Sequence, residues 1–321
     1  MKKLLVSAPM EFLPDLKEKM RKKYECTFAY QVGEKEISSI LKSNDFDAWL
    51  VSPCPNFQID GKIMDLCPSL NIISTPSTGS NHINLKDAIV RKIDIFSLKD
   101  SETVNTITAS SEFTFNLMIS TIRKTPYAFQ GVKNGEWRES EGKYRGRELS
   151  GLTLGIIGFG RIGSNLARYS LAFRMIVLAY DPYVQISNPD VTQCNTLSEL
   201  LPKADVVVVC VHLNDETFGM IDGNIFEQMK DGVYFINTSR GDVVNETDFI
   251  SYLMKDKILA AGVDVISDEF TGDKNSHPLI QYSKSHDNLI ITPHIAGLTY
   301  DSERKAQMAA YEEIVNYLNY K

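Results

Sequence analysis

Short apolar runs alternate with polar, helix-like segments along the first hundred residues of the chain. The apolar runs predict β-strands at residues 3–7, 26–30, 48–52, 72–75 and 93–96. The segments between them include 13–22 and 36–42, whose composition is that of helices. Strands that alternate with helices at this spacing are typical of a parallel sheet covered by helices.

A second alternating series begins in the middle of the chain. It predicts six strands, at residues 154–157, 176–180, 206–211, 234–237, 259–263 and 289–291. Six strands with intervening helices match a doubly wound dinucleotide-binding fold, and the continuous apolar run 206–211 is typical of a strand buried on both faces. Because this series starts in mid-chain, the N-terminal region must form a separate domain.

Two long helical patterns, at residues 110–123 and 302–318, flank the second series. We expect the last helix to return to the first domain. The predicted fold is therefore α/β with two doubly wound parallel sheets, in which a Rossmann domain (104–296) is inserted into a flavodoxin-like substrate domain (1–103 and 297–321). Segment 131–150, rich in glycine and charge, is predicted to form an extended arm.

Composition and charge exclude several classes of protein. The chain is 43% hydrophobic and 23% charged, close to the globular average. Its net charge of −7 and the lack of a basic stripe disfavour a nucleic-acid partner. No apolar run approaches the roughly 18 residues of a membrane span, and the N-terminal run is too short for a signal peptide. Five cysteines without a C-x-x-C pair suit buried thiols in a reducing compartment, so we expect a cytoplasmic protein.

The segment 158–163 is a G-x-G-x-x-G between an apolar strand and a helix pattern. Gly158 permits the tight turn, Gly160 lets a pyrophosphate approach bare backbone, and Gly163 lets helix and strand pack closely. Arg161 can add a charge-assisted bond to a phosphate oxygen. The strand, the glycines and the helix occur in the order that dinucleotide binding requires.

An acidic residue follows the glycines at the expected distance. Asp181 ends the apolar run 175–180, and a carboxylate there accepts hydrogen bonds from ribose hydroxyls and repels a 2′-phosphate. The next residues, Pro182 and Tyr183, include no arginine that would favour a 2′-phosphate. The sequence therefore predicts NAD rather than NADP as cofactor.

Side chains suited to hydride transfer follow three strand ends of the second series. Reduction of a keto acid leaves negative charge on the carbonyl oxygen, so the site needs a proton donor there and a cation for the carboxylate. Arg240 follows one strand, Asp264 and Glu269 the next, and His294 the last. Because ligands of such folds bind at the carboxyl ends of strands, we expect these side chains to converge. The histidines show no metal-ligand spacing, and no metal is expected.

At these residues the chain resembles the D-isomer-specific 2-hydroxyacid dehydrogenase family. The matching segments are 155–163, 237–241, Asp264 with Glu269, and 292–297, within a resemblance that runs from about Asp47 to Gly297. The resemblance implies that His294 is the proton donor or acceptor, that Glu269 is its partner, and that Arg240 binds substrate and polarises its carbonyl. It also implies a homodimer.

The resemblance assigns further residues to the two ligands. Thr238, Ser239 and Asp264 are expected on the nicotinamide side of the cofactor. The matched motifs add Ile162, Arg240, His294 and Gly297 to the candidate cofactor-binding residues. In the first domain, Ser77, Thr78 and Gly79 resemble the family's substrate loop, although an ordinary turn is an equal alternative for this composition.

The combined prediction is an NAD-dependent oxidoreductase that transfers a hydride between nicotinamide and a small 2-hydroxy or 2-keto acid of the D series. The substrate stays open among glyoxylate, hydroxypyruvate and larger keto acids. Two other functions remain compatible with the same motifs. One is an NAD-sensing, corepressor-like binding protein without significant turnover, and the other is a formate-type dehydrogenase.

Overall fold

The computed structural model describes residues 1–269 and 273–320. The chain divides into two compact units, the first made of Met1–Ile107 with Leu298–Lys321 and the second of Thr108–Gly297. The sequence-based boundary at 103/104 lies four residues before the division found here. The roles of the two units, in binding substrate and NAD, stay predictions at this point.

The elements are numbered along the chain. The strands are β1 (Lys3–Val6), β2 (Glu25–Phe28), β3 (Ala48–Leu50), β4 (Ile72–Thr75), β5 (Asp94–Ser97), β6 (Thr153–Ile157), β7 (Ile176–Tyr180), β8 (Val191–Cys194), β9 (Val206–Val209), β10 (Val233–Asn237), β11 (Ile258–Val263) and β12 (Leu289–Ile291). The α-helices are α1 (Pro14–Lys23), α2 (Glu34–Lys42), α3 (Gly61–Met64), α4 (Leu85–Val90), α5 (Ala109–Ile122), α6 (Thr125–Lys133), α7 (Glu141–Tyr144), α8 (Arg161–Ala172), α9 (Leu197–Leu200), α10 (Gly223–Gln228), α11 (Glu246–Met254), α12 (Pro278–Ser283) and α13 (Tyr300–Tyr320).

The first unit contains a parallel five-stranded sheet in the order β2-β1-β3-β4-β5. Alternate side chains enter separate cores on its two faces, with Leu5 and Trp49 on one face and Leu4 and Leu50 on the other. Helix α13 covers the second face through residues that include Ile314. The predicted flavodoxin-like sheet is confirmed by this strand order.

The second unit contains a parallel seven-stranded sheet in the order β12-β11-β10-β9-β6-β7-β8. Chain connections diverge from β6, whose neighbours are β7 on one side and β9 on the other, so the carboxyl end of β6 lies at the switch point where such folds bind ligands. Val206–Val209 is completely buried, as its apolar sequence predicted. The predicted doubly wound fold is confirmed.

Two sequence-based expectations were wrong in detail. Strand β8 was not predicted, because this four-residue edge strand has two exposed polar residues, Thr192 and Gln193, at its centre. The segment 131–150 is partly helical rather than extended, since it includes the end of α6 and all of α7. There Glu136 accepts hydrogen bonds from Tyr144 (2.6 Å) and Lys143 (3.0 Å), which fold the segment back on itself.

Cysteine burial is mixed. Cys67 and Cys194 are buried as expected, whereas Cys54 is exposed.

In the part of the chain that the structure describes, no helix is both long and apolar enough to cross a membrane.

Candidate active site

The glycine-rich turn joins β6 to α8 by unusually close backbone contacts. Gly158 has a φ of 93°, and a Cβ on it would lie 2.6 Å from the carbonyl oxygen of Cys210. A Cβ on Gly163 would lie 2.2 Å from the carbonyl oxygen of Gly158, so both positions require glycine. At Gly160 a Cβ would meet no atom within 4 Å, which leaves that backbone open to a ligand.

Helix α8 supplies the anion-binding end of this turn. It begins at Arg161, and no side chain caps its first turn, because the N-cap residue is Gly160; such a helix N-terminus suits an anion. Burial lowers the pKa of the Arg161 guanidinium. The turn and helix therefore fit the pyrophosphate of a dinucleotide.

Asp181 braces the turn in a way that the sequence did not reveal. Its Oδ2 accepts a hydrogen bond from the amide of Phe159 (2.8 Å), inside the glycine-rich turn. Its Oδ1 accepts from the amides of Tyr183 (2.9 Å) and Val184 (3.2 Å). The carboxylate thus ties the loop after β7 to the turn after β6. Its predicted bond to the ribose stays a prediction.

The loop after β10 carries Arg240 and is held by a buried amide. Asn237 is 2% exposed, and its Oδ1 accepts from both the amide (3.0 Å) and the hydroxyl (2.7 Å) of Ser239. Its Nδ2 donates to the carbonyl of Arg240 (2.9 Å). The Thr238 hydroxyl lies 2.6 Å from that of Thr114. The side chains of Thr238 and Ser239 therefore contact the scaffold, and their predicted role at the nicotinamide is untested.

Gly241 brings the Arg240 loop against the loop after β11. A Cβ at this position would lie 2.0 Å from the carbonyl carbon of Ile266 and 2.2 Å from the amide nitrogen of Ser267. No side chain fits such an approach between two backbones. The backbone next to Arg240 is consequently docked on the segment that leads to Glu269.

His294 and Glu269 form a direct pair. The Nδ1 atom of His294 lies 3.0 Å from Oε1 and 2.9 Å from Oε2 of Glu269. The side chains are 30% and 14% exposed, respectively. With Nδ1 engaged by the carboxylate, Nε2 is the ring nitrogen left to exchange a proton with a ligand.

The backbone at this pair is strained. His294 has a φ of 55° and Asp268, the neighbour of Glu269, a φ of 50°. The left-handed conformation costs non-glycine residues about 1–2 kcal/mol each and is concentrated at functional sites. Surrounding contacts must therefore hold both residues in place.

Asp264 supplies such contacts to the His294 loop. Its completely buried carboxylate accepts from the Thr292 hydroxyl (2.5 Å) and from the amides of Ile295 (3.0 Å) and Ala296 (2.7 Å). Burial raises the pKa of Asp264, although these three hydrogen bonds and the charge of His294 act in the opposite direction. The carboxylate holds the loop after β12, whereas its predicted contact with nicotinamide is untested.

The remaining predicted residues are Gly297 and the turn of Ser77, Thr78 and Gly79. Gly297 ends the second unit, and a Cβ on it would come no closer than 3.7 Å to Ser110. Ser77, Thr78 and Gly79 belong to the first unit, where the Ser77 hydroxyl donates to the carbonyl of Gly79 (2.7 Å). Their substrate-binding role stays a prediction. Among residues 1–269 and 273–320, no group of three or more His, Cys, Asp or Glu side chains could hold a metal ion.

Comparisons with known proteins agree on one family. Residues 115–296 match the model of "D-isomer specific 2-hydroxyacid dehydrogenase, NAD binding domain". A glyoxylate reductase of Thermofilum pendens is 34% identical over 263 residues, which cover 79% of this chain and 74% of that protein. A D-3-phosphoglycerate dehydrogenase of Archaeoglobus fulgidus is 34% identical over 81% of this chain, but the chain spans only 47% of that relative.

A solved structure extends the similarity to nearly the whole chain. The D-lactate dehydrogenase of Aquifex aeolicus, complexed with NAD and lactic acid, superposes with a TM-score of 0.82 at 29% identity, covering 99% of this chain and 96% of that one. The family model and these relatives define an oxidoreductase with an NAD-binding domain. The chain belongs to the D-isomer specific 2-hydroxyacid dehydrogenase family.

We predict that Gly241→Ala damages stability and activity together. The added methyl overlaps the backbone of Ile266, so one of the two loops must move; overpacking of this kind costs about 1–3 kcal/mol. A displacement of about 1 Å at the site lowers kcat/KM about hundredfold. Thermal unfolding and steady-state kinetics measure both effects. Gly142→Ala is the matched control, because a Cβ there meets nothing within 4 Å. Wild-type values of Tm and kcat/KM in Gly241→Ala would contradict the docking.

Proposed function

We propose that the chain is an NAD-dependent oxidoreductase that interconverts a small 2-keto acid and the D-isomer of its 2-hydroxy acid. The observation that carries the proposal is the contact of both Glu269 carboxylate oxygens with Nδ1 of His294. A carboxylate in that position orients the ring and stabilises its protonated form. The family membership supports the same reaction class.

The glycine-rich turn would hold the cofactor. Gly158 and Gly163 let the turn pack closely, Gly160 leaves its backbone open to a pyrophosphate, and Arg161 is the cation of the motif. NADH held there would supply the hydride for reduction of the keto acid. The residues of the chain have to orient the substrate, transfer a proton to its carbonyl oxygen and neutralise its carboxylate.

His294 would hold the proton at Nε2 and give it to the carbonyl oxygen as that oxygen gains negative charge. Glu269 stabilises the imidazolium before the transfer and keeps Nδ1 protonated throughout. In the reverse direction the neutral ring accepts the hydroxyl proton. Because Nδ1 is already engaged, the direction of the ring is fixed for either reaction.

Arg240 would bind the substrate carboxylate, since its planar guanidinium can make two parallel hydrogen bonds. The Asn237 contacts and the Gly241 docking support this role, because they fix the backbone that carries the side chain. The Ser77–Gly79 turn is proposed as a second carboxylate contact on the family resemblance alone. A homodimer is proposed on the same basis, and sedimentation velocity measures it directly.

The decisive experiment is NADH oxidation against a panel of 2-keto acids, with stereochemical analysis of each product. We expect turnover of at least one small keto acid and a product of the D configuration. Formate is included as a donor with NAD in the reverse assay. Tight NADH binding without turnover of any compound would favour an NAD-sensing protein and contradict the proposal.

We predict that His294→Gln retains NADH affinity while kcat falls by about two to four powers of ten. Glutamine preserves a polar side chain but cannot donate a proton at the required acidity. Fluorescence titration of NADH gives the affinity, and single-turnover kinetics give the chemical step. A variant with normal turnover, or with abolished NADH binding, would refute the assignment.

Asp181→Asn is expected to reduce the preference for NAD over NADP by about tenfold, because the charge that repels the 2′-phosphate is removed. Asparagine keeps one acceptor oxygen for the backbone amides now bound by Asp181. The measurement is the ratio of kcat/KM for NADH and NADPH. Thermal unfolding of the variant separates the effect on the brace from the effect of the charge. An unchanged ratio would assign cofactor selection to another residue.

A further inference from the structure

Glu246 lies outside the proposed catalytic set, yet its carboxylate is almost completely enclosed. It is the first residue of α11 and its side chain is 12% exposed. Oε1 accepts a hydrogen bond from the amide of Ser267, and Oε2 accepts from the hydroxyl of the same serine, both at 2.7 Å. One carboxylate thus binds both hydrogen-bond donors of Ser267, which is two positions before Glu269.

The same carboxylate contacts His277. The Nε2 atom of His277 lies 3.3 Å from Oε2 of Glu246, and the His277 side chain is 10% exposed. Its Nδ1 is buried and has no hydrogen-bond partner in the described ranges 1–269 and 273–320. Nε2 is therefore the ring nitrogen that can donate a hydrogen bond to Glu246.

Ser267 and His277 stand on either side of Glu269 in the sequence. Glu246 therefore holds one residue before Glu269 and one after it, and we call these contacts of Glu246 with Ser267 and His277 the Glu246 clamp. Ser267 is fixed from a second side by the backbone approach of Gly241, the neighbour of Arg240. Between Ser267 and Glu269 stands only Asp268, whose left-handed φ of 50° depends on such support.

The Glu246 carboxylate lies among other acidic side chains, whose negative charges repel it. Burial, followed by the charges of Asp268, Glu246 and Glu269, raises the pKa of Asp242. A negative charge at residue 246 is therefore unfavourable to its neighbours. The hydrogen bonds that the carboxylate makes to Ser267 and His277 offset this repulsion.

We propose that Glu246, with His277 as its partner, is a positioning residue that sets Glu269 for its contact with His294. The inference rests on the proposed function for its catalytic consequence. The Glu246 clamp itself is independent of that function, because it is a property of the loop.

The kinetic test compares Glu246→Ala with Glu246→Gln. We expect kcat of Glu246→Ala to fall about 10- to 100-fold, since small displacements of a catalytic group have effects of this size. NADH affinity should change less than about twofold, because the glycine-rich turn is untouched. The solvent deuterium isotope effect on kcat should increase as proton transfer becomes slower. Glu246→Gln should recover most of the activity, because its amide oxygen still accepts from Ser267.

Asp248→Ala is the matched control. Asp248 lies in the first turn of the same helix, and its Oδ2 accepts from the amide of Gly223 (2.9 Å) rather than from the Glu269 segment. The control therefore also removes an acidic residue from the start of α11. Equal decreases of kcat in the Asp248 and Glu246 alanine variants would overturn the proposal, as would an unchanged isotope effect in Glu246→Ala.

A structural readout keeps the Glu246 clamp testable even if no keto acid is turned over. Hydrogen exchange should become faster at the Ser267 amide in Glu246→Ala but not in Asp248→Ala. A crystal structure of Glu246→Ala should show a longer distance between the Glu269 carboxylate and Nδ1 of His294 than in the wild type. If that distance and the exchange rate both stay as in the wild type, the positioning role is wrong whatever the substrate. If both change while the wild type has no turnover, only the proposed function fails.

Discussion

The site depends on a buried carboxylate, that of Asp264, which fixes the backbone that presents His294. Two main-chain amides and a hydroxyl of the loop after β12 donate to it. Each of these groups would cost about 1–3 kcal/mol if it were buried without a partner. This is enough to offset the left-handed backbone at His294, whose φ is 55°. The backbone of His294 is thus held in place independently of the contact between its side chain and Glu269.

The neighbouring loops also have to be held in fixed positions. Parallel strands end at a common edge, but a reaction needs groups fixed to fractions of an ångström rather than merely gathered there. Gly241 docks one loop on another, Asn237 braces the Arg240 backbone, and Glu246 holds the segment before Glu269. Each brace is polar or steric and buried, so each acts through satisfied hydrogen bonds or through close packing.

The elements that could be predicted from the sequence are those whose signal is local. Val206–Val209 could be predicted because a continuous apolar run allows little else than a buried strand, and the G-x-G-x-x-G because its glycines stand between a strand and a helix. Strand β8 escaped prediction, since a short edge strand there carries polar residues at its centre. The bracing roles of Asp181 and Glu246 could not be predicted, because their partners are set by tertiary contacts. Asp181 holds Phe159, 22 positions away, and Glu246 holds Ser267, 21 positions away.

The most direct test of the central claim is a crystal structure of the protein with NADH and oxamate, an unreactive analogue of a 2-keto acid. We expect Nδ1 of His294 to keep its contact with Glu269 while Nε2 lies within about 3.2 Å of the oxamate carbonyl oxygen. The guanidinium of Arg240 should face the oxamate carboxylate. A complex in which His294 turns away from the ligand and leaves Glu269 would contradict the proposed chemistry.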